Sequence, residues 1–367
     1  MVEIRAKKWF QRIGYGSLLC LFLANGAVLA SSAEKLDSID VNKGNTQILA
    51  GSFFQPSLVT NWTESDFAAE YEAMKKVSMD HIIWQWTVDT KEKKACYPTV
   101  LSGYTQIFHE DKVKISLEQA RRKGIKVWLG LAANDDWFRY YANDEKWLAN
   151  EVGLNKKIVQ ELWQRYGSSY GDTVAGFYIW LEVENVHFQN SAKQERIATA
   201  YKEIAAEVHR ITGKPVMIAP YFAPGSGLDA DGYAAMWGKV LKTAPIDVIA
   251  LQDGFGGEYG SAATIATWLP PLKKKITEAR PQTELWSDLE TFTPDFLSAP
   301  ISRVISQINA EKSFVSKFTS FSFNHYDSPN NGHLLRYLQY KRYVESLKAP
   351  GGNQADLKGV VLVEEDS

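Results

Sequence analysis

Residues 176–185 read Gly176-Phe177-Tyr178-Ile179-Trp180-Leu181-Glu182-Val183-Glu184-Asn185. Side chains on a strand alternate between its two faces, so Tyr178, Trp180, Glu182 and Glu184 share one face. Phe177, Ile179, Leu181 and Val183 share the other, which is wholly apolar and suited to packing under helices. A carboxylate on an inward face is costly to bury without partners. Two of them beside two aromatic rings therefore mark a site. An amphipathic stretch follows at Lys193–Thr212 and stops at Gly213, so this segment is one strand followed by one helix.

The same order repeats in both directions. Upstream, strands are expected at Ile48–Phe54, His81–Val88 and Lys126–Ala132, with helices at Glu64–Val77, Lys112–Lys123 and Glu145–Tyr166. Downstream, strands are expected at Pro215–Ala219, Ile246–Leu251, Glu284–Leu289 and Thr319–Asn324. The matching helices are Tyr233–Lys242, Ala262–Ala279 (interrupted at Pro270-Pro271), Ile301–Phe314 and His333–Leu347. Eight strand–helix units in strict alternation imply parallel strands joined by crossover helices, and so an α/β (β/α)₈ TIM barrel. A doubly wound sheet needs a Gly-rich phosphate turn after an early strand, and Gly51-Ser52-Phe53-Phe54 is not one. A single barrel is expected over residues 48–349, with a lead-in at 34–47 and a tail at 350–367.

Composition agrees with a globular protein. Apolar residues make up 45% of the 367 and charged residues 23%, which excludes a disordered or fibrous chain. A net charge of −2, with no long basic run after the leader, argues against nucleic acid as a partner. Arg5, Lys7, Lys8 and Arg12 precede an apolar run from Ile13 to Ala30, and small residues at Ala30 and Ala33 offer cleavage points. Residues 1–33 read as a secretory signal peptide. Removing them leaves Cys96 alone, so no internal disulfide can form. A monomer in the bacterial periplasm or outside the cell is expected, with no stable membrane insertion after cleavage.

Active sites of such barrels lie at the C-terminal ends of the strands. The seventh strand repeats the pattern of the fourth: Trp286, Asp288 and Glu290 share a face, with Leu285 and Leu289 opposite. Strands four and seven lie nearly across the ring from each other, so Glu182 and Glu290 can face each other over the mouth. Two facing carboxylates are what glycosidic cleavage needs, roughly 5–5.5 Å apart for retention and roughly 6.5–9.5 Å for inversion.

Around this pair, Gln55, Gln252 and Asp253 are candidates to hydrogen-bond sugar hydroxyls, as are Asn324 and His325 at the eighth strand. Asp288 either orients a neighbour or touches substrate. Glu184 either pairs with a loop base or binds substrate. Two or three of Trp84, Trp86, Trp180 and Trp286 are expected to line the cleft, with Trp137 and Tyr221 as further platforms for sugar rings. No cofactor is implied. The six His residues form no metal-ligand pattern, and no nucleophile elbow or phosphate loop is present.

These pieces resemble the large clan of barrel glycoside hydrolases whose acid/base Glu ends strand four and whose nucleophile Glu ends strand seven. The resemblance implies Glu182 as acid/base, Glu290 as nucleophile and a retaining outcome. Leu181 precedes Glu182 where members of that clan usually carry Asn. The chain also resembles a family of secreted bacterial barrel proteins of unknown function placed near those hydrolases. The resembling segments are Gly51–Pro56, Gly176–Glu182, Gln252–Gly256 and Trp286–Phe292. That resemblance implies a protein acting on polysaccharide or oligosaccharide. A barrel that binds polysaccharide without cleaving it, assisting export or assembly, is the alternative.

Overall fold

The computed structural model describes residues 47–348, so the expected signal peptide, the expected tail and all but residue 47 of the expected lead-in lie outside the described residues. Eight parallel strands close into a barrel. They are β1 (Leu49–Phe54), β2 (His81–Trp84), β3 (Lys126–Gly130), β4 (Val174–Ile179), β5 (Val216–Ile218), β6 (Val248–Gln252), β7 (Glu284–Glu290) and β8 (Lys317–Phe321), with β8 pairing back onto β1. The helices between and after them are α1 (Glu64–Lys76), α2 (Lys112–Lys123), α3 (Glu145–Tyr170), α4 (Ser191–Thr212), α5 (Ala230–Thr243), α6 (Ala262–Ala279), α7 (Ile301–Glu311) and α8 (Leu334–Lys348).

Local chemistry sets the helix ends. Thr63 and Asp66 form a reciprocal capping box at the start of α1. Asp111, Asp144, Asn190, Asp229 and Ser261 each accept a backbone amide at the first turn of the helix they precede. Gly124 and Gly213 end α2 and α4 in the left-handed conformation that glycine adopts without strain.

The barrel interior is filled in layers. At its floor, the Trp286 ring lies 5.4 Å from His81 and 5.8 Å from Trp128, centre to centre. Gly51 and Gly176 make room for this layer, since a Cβ on either would fall 2.3 Å from the His81 or Trp128 ring. Above it, Phe53 meets Tyr178 edge-on at 5.1 Å and Phe321 at 6.1 Å. The outward residues of β4 pack as the alternation requires, with Phe177 against Trp163 of α3.

Some expected boundaries move. The strand expected at His81–Val88 stops at Trp84, because Thr87 turns to bond the carbonyls of Leu131 and Gly130. Val88–Asp89 then joins a small sheet with Lys94–Ala95, Thr105–Gln106 and Ala132–Ala133. The fourth strand, expected over Val174–Val183, is Val174–Ile179. The strand expected at Thr319–Asn324 is Lys317–Phe321, and Phe323–Asp327 forms one turn of π-helix. Pro270 and Pro271 do not interrupt α6, which runs through both. Pro270 is exposed, so water reaches the turn where the missing amides free carbonyls.

Candidate active site

Glu290 is the last residue of β7 and is held from several directions. Its amide donates to Asp253 Oδ1 at 3.2 Å. Its carbonyl accepts from Arg303 at 2.7 Å and from Gln307 at 3.2 Å, both on α7. Its carboxylate Oε2 accepts from the Gly257 amide at 3.0 Å, and the Gly256 amide also bonds the carboxylate. The loop after β6 comes this close because residue 256 has no side chain. A Cβ there would lie 2.5 Å from the Phe292 ring.

Glu182 lies beyond the end of β4 and is 5% exposed. Its carboxyl is bonded by the Gln252 side chain, whose Nε2 also donates to the Ala219 carbonyl at 2.9 Å. Its own carbonyl accepts from Trp137 Nε1 at 2.7 Å. Burial pushes the Glu182 carboxyl up to about 8, helped by the negative charge of Glu290 and opposed by the Gln252 bond. Glu290 is also raised, first by burial and then by Asp253, while the Gly257 and Gly256 amides and Arg303 pull it back. The charge of Glu290 therefore reaches Glu182. Asp288, two residues below Glu290, is 2% exposed and leaves Oδ1 unpartnered. Its pKa stands well above the ordinary carboxylate range, from burial and then the charges of Glu290, Asp253 and Glu182.

The remaining candidates divide. Gln55 bonds His325 Nδ1 at 3.0 Å through Oε1, and its Nε2 is buried without a partner. Asn324, in the π turn, is 1% exposed with both side-chain polar atoms unpartnered. His325 is half-buried, stacks on Tyr326 at 4.0 Å, and is held neutral: burial and then His333 lower its pKa to about 4. Tyr221 is half-buried, hydrogen-bonds Tyr141 and senses the charges of Glu184 and Glu182. Trp86 is half-buried in the loop after β2, and Trp180 is buried edge-on to Phe138.

Four residues fall elsewhere than expected, and a fifth, Glu184, takes the loop-base pairing that was one of its two expected roles. Trp84 points outward between barrel and helices, where its Nε1 bonds Ser116 of α2 at 3.0 Å. Trp286 shares its strand face with Glu290 but closes the floor, four residues below the mouth, where it bonds Glu284 at 2.7 Å. Trp137 has no exposed surface, because its ring is stacked with Trp147 and Phe188 and its Nε1 holds the Glu182 carbonyl. Asp253 alternates to the outer side of β6, where Gln307 bonds Oδ2 at 2.5 Å and the amides of Phe255 and Glu290 bond Oδ1. Glu184 pairs with the loop base His187 at 2.7 Å and also accepts the His187 and Val186 amides, so it shapes the turn after β4.

Three features of the site were missed from sequence. Arg303 and Gln307 stand four residues apart on one face of α7, and Arg303 ties Glu290, Phe292 and Phe255 together through their carbonyls. A buried polar stripe in an otherwise apolar helix face was the available signal. Tyr141 lies flat on His187 at 3.9 Å, placed there by positive φ angles at Tyr141 and Ala142. In the Gly254–Gly260 loop, the amides of Gly256 and Gly257 bond the Glu290 carboxylate, a pairing that no local pattern in the loop marks.

The closed eight-stranded parallel barrel is a fold that solved glycoside hydrolases share. The same barrel is found in a "putative alpha-L-fucosidase" from Bacteroides thetaiotaomicron, at TM-score 0.68 and 20% identity over 86% of this chain and 99% of that one. It is found also in the endo-1,4-beta-D-mannanase of Thermotoga petrophila, at TM-score 0.55 and 13% identity over 81% and 99%. The endo-1,4-beta-mannanase of Rhizomucor miehei matches at TM-score 0.54 and 14% identity over 84% and 97%. At these identities the likeness is one of fold. Residues 49–333 match the family described as a domain of unknown function, DUF4434, and the chain belongs to that family. The uncharacterized protein YbcH of Escherichia coli K12 is 27% identical over 139 residues, which cover 37% of this chain and 45% of that relative.

Proposed function

We propose that the protein is a secreted or periplasmic glycoside hydrolase acting on a polysaccharide or oligosaccharide by a two-carboxylate, retaining mechanism. The observation that carries this reading is the placement of two buried carboxyls, Glu182 just beyond β4 and Glu290 at the end of β7, in different hydrogen-bond settings. Glu182, buried with one neutral amide on its carboxyl, keeps its proton at neutral pH and gives it to the leaving oxygen. Burial and then Asp253 push Glu290 up to about 8 as well, but two backbone amides and Arg303 favour its anion, and in that form it attacks the anomeric carbon. The glycosidic C–O bond breaks as the Glu290 ester forms. Water, deprotonated by Glu182, then cleaves that ester and restores both groups. The half-buried Trp86 and Tyr221 offer apolar faces to the sugar.

The test is the release of reducing ends from bacterial and plant polysaccharides by the full chain, with Glu290→Gln in parallel. Product from wild type and none from the variant supports the reading. Equal product from both would sink it.

A barrel that binds glycan without turnover is the second reading. Both carboxyls are pushed upward, and Leu181 precedes Glu182, its carbonyl taken by the Tyr201 hydroxyl. Retention of a polymer on an affinity gel with no reducing ends would favour it.

A further inference from the structure

The loops after β3 and β4 bring two flat rings together beside Glu182, and nothing in the carboxyl chemistry uses them. We propose that His187, backed by Tyr141, is the platform of a second sugar site, which seats a hydroxyl-bearing ring on the leaving-group side of Glu182. This goes beyond the reading of Glu182 and Glu290, and rests on it only for which side of the cut bond the platform serves.

Three observations lead here. First, His187 is fixed from three directions. The Glu184 carboxylate, 1% exposed, accepts from its Nδ1 at 2.7 Å and from its amide at 2.8 Å. Tyr141 covers one ring face, 3.9 Å away and within 3° of parallel. Lys193 Nζ donates to its carbonyl at 3.0 Å. Second, the backbone is strained to make this stack. Tyr141 and Ala142 take φ of 41° and 59°, a conformation costly for residues with a Cβ, and Arg196 holds the Ala142 carbonyl at 2.9 Å. Third, His187 keeps 29% of its side chain exposed above the buried Glu184. With Nδ1 and one face taken, that surface lies on the opposite face and the Nε2 edge.

The chemistry of this surface selects its ligand. A carboxylate only accepts, so Nδ1 carries the proton, and the neutral ring presents Nε2 as an acceptor. A rigid aromatic face with one acceptor at its edge fits the C–H face of a sugar whose hydroxyl donates to Nε2. The platform is also tied to the acid. Trp137 Nε1 donates to the Glu182 carbonyl at 2.7 Å, and the Trp137 ring lies 6.0 Å from that of Tyr141. Tyr221, hydrogen-bonded to Tyr141, donates its amide to the Val183 carbonyl at 3.2 Å. The β3–β4 side stands across the barrel from β7, so a chain running from Glu290 past Glu182 meets His187 with its leaving part.

The test is an NMR titration of the full chain, isotope-labelled at His and Glu, with hexasaccharides of mannan, cellulose, galactan and chitin. The His187 ring is identified by its loss in His187→Phe, and the Glu290 carboxyl by its loss in Glu290→Gln. At least one hexasaccharide should shift both resonances saturably with the same midpoint. His187→Ala should weaken binding of that probe by about 3- to 10-fold. His187→Phe, which keeps the flat face and loses Nε2, should recover part of the loss, and it stands in for the Ala variant if that folds poorly. A hexasaccharide that shifts Glu290 and leaves His187 in place overturns the platform and leaves the carboxyl pair standing. Equal affinity of wild type and both variants also overturns it, as does no shift of His187 by any of the four probes. A His187 shift without reducing ends keeps the platform and removes the hydrolase reading.

Discussion

Glu182, three residues beyond the end of β4, and Glu290, the last residue of β7, are the same residue type in one barrel, yet they are supported in different ways. Glu182 has one neutral amide on its carboxyl and an indole on its carbonyl. Glu290 is bonded at its amide, its carbonyl and its carboxylate, by a loop after β6, by Asp253 and by α7. The difference teaches that a carboxyl's role is set by what surrounds it. Burial with few donors favours the acid form, and converging backbone amides favour the anion. Under the proposed function this asymmetry makes Glu182 the proton donor and Glu290 the nucleophile, and each half of it can be broken separately.

The largest effect is expected from Glu290→Gln, which removes the nucleophile and should lower kcat by about 10⁴-fold or more. Glu182→Gln should lower kcat by about 10²–10⁴-fold on natural glycans. The loss should shrink on aryl glycosides, whose leaving groups need little protonation. Similar losses on both substrates would reverse the assignment of the two residues.

Removing support without touching either carboxyl comes next. Arg303→Met should cut kcat by about 10-fold or more through misplacement of Glu290, while KM moves little. It should also shift the pH profile, which a merely structural role would leave in place. Arg303→Lys should recover part of the activity.

The raised pKa of Glu182 has a consequence for stability. Its folded value of about 8 lies above the ordinary carboxyl value of 4.5, so the folded protein holds a proton the unfolded chain has lost between those limits. Its contribution is fully present below about pH 4.5 and is lost as pH rises through about 8. Glu182→Gln cannot ionise, so its melting temperature should gain on that of wild type as pH climbs from 5 to 9. A pH-independent difference would contradict the burial argument.

The smallest effect concerns the tryptophans. Trp84→Phe should cost about 1 kcal/mol of stability by freeing its bond to Ser116, and should leave glycan binding unchanged. Trp86→Ala should weaken binding with little effect on melting. Titration of both variants with a bound glycan, beside their melting curves, separates the two.

Much of this was legible beforehand. Strict strand–helix alternation implied a closed parallel barrel, and period-two alternation placed Glu182 and Glu290 on inward faces. The tryptophans were harder. Trp286 and Glu290 share a face, but one face of a long strand runs from floor to mouth, so parity could not say which layer each residue would fill. Trp84 follows two apolar residues in a strand buried on both sides, where parity alone does not mark the inner face. Asp253 follows Gln252 at the end of β6, yet alternation sends it outward to Gln307.

The sequence by itself determined the barrel, the order of its strands and the two acidic strand ends, because these depend on periodicity and on chain order. Only the tertiary structure decided which aromatics reach the mouth and how each carboxyl is held. Those outcomes depend on contacts between elements far apart in the chain. The Gly257 amide reaches Glu290 across 33 positions of sequence, and Gln307 reaches Asp253 across 54. No local pattern records such pairs. They exist once the closed sheet brings β6, β7 and α7 to one side of the barrel.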